Sequence, residues 1–250
     1  MKFATLLGLA LVAQTVSAHY IFNTLIAGSK TSSKAVRKPL NNSPVHDYTG
    51  SEITCNLNPS KAQETVTVNA GDTIGFKVDA ALYHKGPVAI YLGKAPGSAA
   101  NWNGSGKNWF KTRALICCAI SPPAAGSTFN PFSFSSQNKD KFKTTIPKSV
   151  PSGEYLVRIE QAGLHLTGTP EFFVSCAQIK VVNGGKGNPS KVSIPGYIPK
   201  NDPSVMVNIY DPVPTAYTCP GPSVYRGSAG LYSSIFSDNA QYWSGLDSLY

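Results

Sequence analysis

The sequence predicts an all-β sandwich. Three observations carry this. Helix-favouring Lys/Glu/Ala-rich segments are sparse, and charged residues make up only 14% of the chain. Short runs of alternating apolar and polar residues recur along it. Glycine and proline, 22 and 19 in 250 residues, break those runs at turn-like intervals.

The elements follow in order. Met1 to Ala18 has a lysine at position 2, an apolar run from Phe3 to Ala13 and a small-residue site at Val16-Ser17-Ala18. It reads as a secretory signal cut after Ala18. Tyr20 to Ala27 alternates as a first strand, and Thr31 to Tyr48, with Pro39 and Pro44, reads as loop. Glu64 to Asn69 and Thr73 to Val78 flank the turn Ala70-Gly71-Asp72 and read as a hairpin. Val88 to Leu92 is another strand, and Trp109-Phe110-Lys111 opens a further apolar segment. Ser98 to Lys107 and Ser121 to Lys141 are irregular by composition. Glu154 to Glu160 alternates, and Glu171 to Val182 is long enough to be a central strand. Val205 to Tyr210 reads as a last strand after the Asp202-Pro203 turn. No repeat and no second domain is evident, so residues 19–226 form the domain and 227–250 a Ser- and aromatic-rich tail.

The formal charge is +9, but the lysines are scattered, with no basic run suited to nucleic acid. No second apolar run has the length of a membrane span, which points to a released, extracellular protein. Cys55, Cys117, Cys118, Cys176 and Cys219 imply disulfides with one thiol left over. The expected pair is Cys55 with Cys176; Cys219 is open to either of the adjacent cysteines. Asn103-Gly104-Ser105 is an N-glycosylation acceptor.

Cleavage after Ala18 places His19 at a free N-terminus. Its α-amine and imidazole then sit on one residue and chelate one ion, because an amine that titrates near ~7.7 yields its proton to a metal at mild pH. A third nitrogen from another histidine completes a set that suits copper. His84 lies on a loop at a strand end, fixed by Gly86 and Pro87. His46, in the long early loop, reads as a solvated residue. Glu154 and Glu160 share a strand face and read as exposed charges rather than a hydrolase pair. Tyr20, Tyr197, Tyr210 and Tyr217 are candidate rings for stacking on sugars.

Set in order, these motifs carry a resemblance. They are His19 after the signal, Ser51-Glu52-Ile53-Thr54-Cys55-Asn56, Val66 to Thr73, His84-Lys85-Gly86-Pro87-Val88, Ser152 to Glu160, Leu164-His165, Cys176-Ala177-Gln178-Ile179, Asn208-Ile209-Tyr210 and Pro220-Gly221-Pro222. The chain resembles the fungal lytic polysaccharide monooxygenases of auxiliary activity family 9, formerly glycoside hydrolase family 61. The resemblance implies an immunoglobulin-like or fibronectin-III-like sandwich with long loops and a flat copper-bearing face. It implies one copper ion held by His19 and His84. It implies a monomer that oxidises cellulose or a related β-1,4-glucan with an external reductant and O2 or H2O2. His165 matches a histidine that hydrogen-bonds an oxygen species near the metal. Two positions that the resemblance places close to the copper depart from the pattern: Glu171 stands where the family has glutamine, and Phe173 where it has tyrosine. Phenylalanine offers no phenolic oxygen, and an ionised carboxylate accepts hydrogen bonds but does not donate them. The alternative reading is a non-catalytic or weakly active copper- or carbohydrate-binding protein on the same fold.

Overall fold

In the computed structural model, described here for residues 19–115, 119–120, 132–214 and 216–227, the chain is a β-sandwich of two sheets. The predicted signal, the cysteine pair 117–118 and the tail beyond 227 lie outside the described residues.

The smaller sheet joins β10 (Lys141–Thr145), β5 (Thr73–Lys77), β1 (Thr24–Ala27) and β2 (Lys30–Ser32), in that spatial order. The larger runs β3 (Val36–Arg37), β12 (Glu171–Val182), β11 (Gly153–Gly163), β6 (Val88–Lys94) and β7 (Trp109–Leu115), with β4 (Val66–Asn69) added parallel to the far end of β12. A small ladder of β8 (Ala119–Ile120) and β9 (Phe132–Ser133) stands apart.

Alternation decides which face each strand buries. Leu25, Ile74, Phe76 and Phe142 from the small sheet meet Ile90, Leu92, Val157, Ile159 and Ala177 from the large one. The large sheet is also covered on its other face, where Leu156, Val174 and Cys176 pack against Ile53, Trp109, Ile194, Val205 and Ile209. Burial on both faces explains why β11 and β12 are nearly continuously buried.

Four expectations about strands need correction. β4 and β5 are not a hairpin, because β4 pairs with β12 and β5 with β1 and β10. The intervening turn crosses between sheets. Ala70 N–H bonds Val182 O at 2.9 Å, while Gly71 N–H bonds Ile146 O at 2.9 Å, which ties one corner to both layers. The first strand starts at Thr24 rather than Tyr20, since the Asp79 side chain takes the Ile21 N–H at 2.9 Å in place of a ladder bond. The stretch 31–48 contributes to β2 and forms β3. Val205–Tyr210 is not a strand. Asp202 caps a one-turn helix, α1 (Pro203–Met206), by accepting the Ser204 N–H at 2.8 Å, with proline at its first position.

Cys55 and Cys176 form a disulfide with Cα atoms 5.3 Å apart, which pins the 51–55 turn onto β12. Beneath it Arg158 and Glu160 form a fully buried ion pair at 2.6 Å. Glu160 is 2% exposed, so its reading as a solvated strand charge is wrong. Its carboxylate accepts from Tyr91 at 2.8 Å and from the Tyr197 hydroxyl, and Arg158 donates to the Ile53 and Thr54 carbonyls. Glu154 is half-buried and accepts the Ala99 N–H at 2.7 Å.

Candidate metal centre

Three segments converge at one end of the sandwich. The first is His19–Phe22, which enters β1. Tyr20 and Phe22 are buried in the core, and this anchors the histidine before them. The Tyr20 hydroxyl donates to Gln161 Oε1 at 2.7 Å, and its ring lies 4.4 Å from that of Phe173.

The second segment is the 83–87 loop. Its backbone is tied to the end of β11 at three points. Gln161 Nε2 bonds His84 O at 3.2 Å, Leu164 N–H bonds Lys85 O at 2.7 Å, and Ala162 N–H bonds Pro87 O at 3.1 Å. Gly86 sits at φ +154°, and a Cβ there would overlap the Ala162 carbonyl. Only glycine permits this close approach, so Gly86 fixes where His84 points.

The third segment is the β11–β12 connection with the start of β12. Glu171 and Phe173 share one face of β12 by strand period. Phe173 is 2% exposed and enters the core; Glu171, 8% exposed, stands at its rim.

The geometry brings His19, His84 and Glu171 together, with one donor atom from each lying within 4.8 Å of the others. The His84 ring stacks on His165 at 3.9 Å, and Phe173 lies 5.8 Å from His19 and 5.6 Å from His84. His165 Nε2 is 3.5 Å from Glu171 Oε2. Among the described residues, His165 Nδ1 and Glu171 Oε2 are buried polar atoms without a hydrogen-bond partner. Burial, then the Tyr83 phenol and the Glu171 carboxylate, pushes Tyr20 well above the ordinary phenol range. Tyr20 therefore stays a neutral donor to Gln161.

His46 is exposed and outside this cluster. Of the four tyrosines proposed to stack on sugars, Tyr20 and Tyr197 are buried and present no ring to a ligand. Tyr217 is half-buried against Phe134. Tyr210 is exposed and donates to His165 O at 3.2 Å, with Lys85 Nζ 5.3 Å from its ring. Sequence reasoning missed Tyr83 and Leu166, both exposed, each beside a histidine of the cluster. Their adjacency to His84 and His165 in the chain was the available signal. Asn103 is exposed, and its side chain accepts the Ser105 N–H at 3.0 Å.

Residues 19–217 match the family model of Auxiliary Activity family 9 (formerly GH61). The chain belongs to that family. It is 40% identical over 234 residues to AA9 family lytic polysaccharide monooxygenase H of Malbranchea cinnamomea, covering 88% of this chain and 97% of that protein. It is also 40% identical over 239 residues to monooxygenase C of Emericella nidulans, covering 91% of this chain and 100% of that one. The fold superposes on the crystal structure of a cellulose-active polysaccharide monooxygenase from M. thermophila with a TM-score of 0.71. That match is 26% identical and covers 84% of this chain and 100% of the other. Membership makes this AA9 protein an oxidoreductase of the lytic polysaccharide monooxygenase class, with copper as its metal.

The residues present suit copper. Two imidazoles are matched donors for a late first-row divalent ion, and an unpartnered buried carboxylate oxygen beside them is the environment a cation relieves.

Proposed function

We propose that the mature protein is a secreted monomer that starts at His19 and oxidatively cleaves β-1,4-glucan chains, cellulose or a close relative. The observation that carries this reading is the approach of His19 and His84 within one ligand cluster, at the residue where the family match begins. Cleavage after Ala18 frees the α-amine, so His19 holds copper through amine and imidazole and His84 adds the third nitrogen. Bound there, copper supplies one-electron chemistry with a reductant and O2 or H2O2.

The chain's own residues do the rest. The Gly86 backbone and the Gln161 amide hold His84 in place. Phe173 and Tyr20 close the inner side of the site to water, and apolar packing there protects the protein from side reactions. His165, stacked on His84, presents a ring nitrogen toward Glu171 and is placed to hold or pass a proton there. Tyr83, Leu166 and Tyr210 are exposed around the histidines and form the surface that meets the polysaccharide. Asn103 is open to glycosylation.

The test is mass spectrometry of products. Processed, copper-loaded protein is incubated with amorphous cellulose, ascorbate and a little peroxide. Oxidised oligosaccharides that require copper and reductant are expected. Their absence across cellulose, xyloglucan and xylan would overturn the β-glucan reading.

A further inference from the structure

We infer that Glu171 is itself a copper ligand, so that this chain holds its metal with two imidazoles and a carboxylate in addition to the terminal amine. The inference rests on the metal site proposed above and extends it to a residue that a His19–His84 pair alone leaves outside.

Three observations carry it. First, a donor oxygen of Glu171 lies within 4.8 Å of a donor nitrogen of both His19 and His84. Ligands on opposite sides of a first-row divalent ion stand about 4 Å apart, given metal–ligand bonds of about 2 Å. Donor atoms within 4.8 Å of one another stand close to that spacing, so one ion is within reach of all three side chains. Second, Glu171 is 8% exposed, and its Oε2 has no hydrogen-bond partner among the described residues. A buried carboxylate oxygen left unpaired is costly, and a cation is what relieves it. Third, the ion-pair contact Glu171 has among the described residues is His165 Nε2 at 3.5 Å, beyond the 2.7–2.9 Å of a charge-assisted hydrogen bond. Among the described residues no lysine or arginine forms an ion pair with it.

This arrangement has a consequence that a purely nitrogen site lacks. Masking the α-amine in an amide leaves His19, His84 and Glu171, and two imidazoles with one carboxylate remain a recognised set for divalent transition metals. A chain with extra residues ahead of His19 should still bind Cu(II), more weakly than the mature form, and that residual binding should depend on Glu171.

The experiment compares four proteins: the chain starting at His19 and the chain with one added N-terminal glycine, each with Glu171 or with Glu171→Gln. Cu(II) affinity is read by calorimetry and the ligand field by electron paramagnetic resonance, with the thermal midpoint as a fold control. His84→Ala in the mature chain is the control for the site itself. The expected result is retained Cu(II) binding by the extended chain. Glu171→Gln should weaken that binding about a hundredfold and shift its resonance spectrum. In the mature chain the same change should weaken binding about tenfold. Binding by the extended chain that survives Glu171→Gln unchanged overturns the inference. So does complete loss of binding on extension, with binding by the mature chain intact and dependent on His84; in that case the nitrogen site stands and Glu171 is no ligand. If the mature chain binds no copper, or binds it without His84, the metal site proposed above falls and the inference falls with it.

Discussion

Glu160 shows how a charged residue can serve the fold alone. With Arg158 it lies beneath the Cys55 turn, and both carboxylate oxygens are engaged. Burial opposes the charge of Arg158, yet the Glu160 carboxylate, with Tyr197 and Tyr91, outweighs this and holds Arg158 above its usual range. Glu160→Gln leaves the guanidinium buried without its counter-charge. Chemical denaturation should show a loss of about 3–5 kcal/mol, and copper affinity measured on the folded fraction should be unaltered. Gly86 acts at the site instead. Gly86→Ala drives a Cβ into the Ala162 carbonyl and shifts the loop that carries His84. Copper affinity by calorimetry should fall at least about tenfold, the range seen when support behind a ligand is lost.

At the scale of elements, the disulfide ties the 51–55 turn to the middle of β12 across 121 residues of chain. Closing so long a loop restricts the unfolded chain strongly, so replacing Cys55 and Cys176 by serine should lower stability by about 2–5 kcal/mol in a urea titration. The elements also differ in how far they could be read from sequence. β12 was legible along its full length, Glu171–Val182, because its apolar run is long and bounded by Pro170 and Asn183. β4 and β5 were legible as strands but not as partners. Alternation reports which face a strand buries; it does not report which neighbour it bonds, and here the neighbours lie in different sheets. Val205–Tyr210 was misread because its apolar residues outweighed the stronger local signal, Asp202-Pro203, which starts a helix. The burial of Glu160 was hidden because its partners Tyr91 and Tyr197 are far away in sequence. His19 and His84 were visible because histidine is rare in this chain and each has a distinct neighbourhood, whereas His165 was placed at the site by the family resemblance. The resemblance put Glu171 close to the metal, but its contacts with all three histidines depend on the register of β12 with β11, which sequence does not fix.

For the whole molecule, buried phenols set the alkaline limit. Tyr155 is pushed up to about 12 by burial. Burial, with the Glu160 carboxylate adding to it, also raises Tyr91 and Tyr197 well above the ordinary value. An unfolded chain ionises its phenols near ~10. The fold binds these protons more tightly than the unfolded chain does, so their contribution is fully present below pH ~10 and is lost as pH rises above it, through about 12 in the case of Tyr155. Thermal midpoints should hold steady up to pH ~10 and fall steeply above it. The part of the phenolate absorbance that comes from Tyr91, Tyr155 and Tyr197 should rise together with unfolding rather than before it.

The central claim is that His19 and His84, from separate segments of the chain, close on one copper ion. The most direct measurement is Cu(II) titration of the processed chain beside its His84→Ala variant, followed by electron paramagnetic resonance of both. The account predicts one tightly bound copper with nitrogen couplings in the parent, and loss of tight binding together with a changed spectrum in the variant. Equal affinity and an unchanged spectrum in His84→Ala would contradict it.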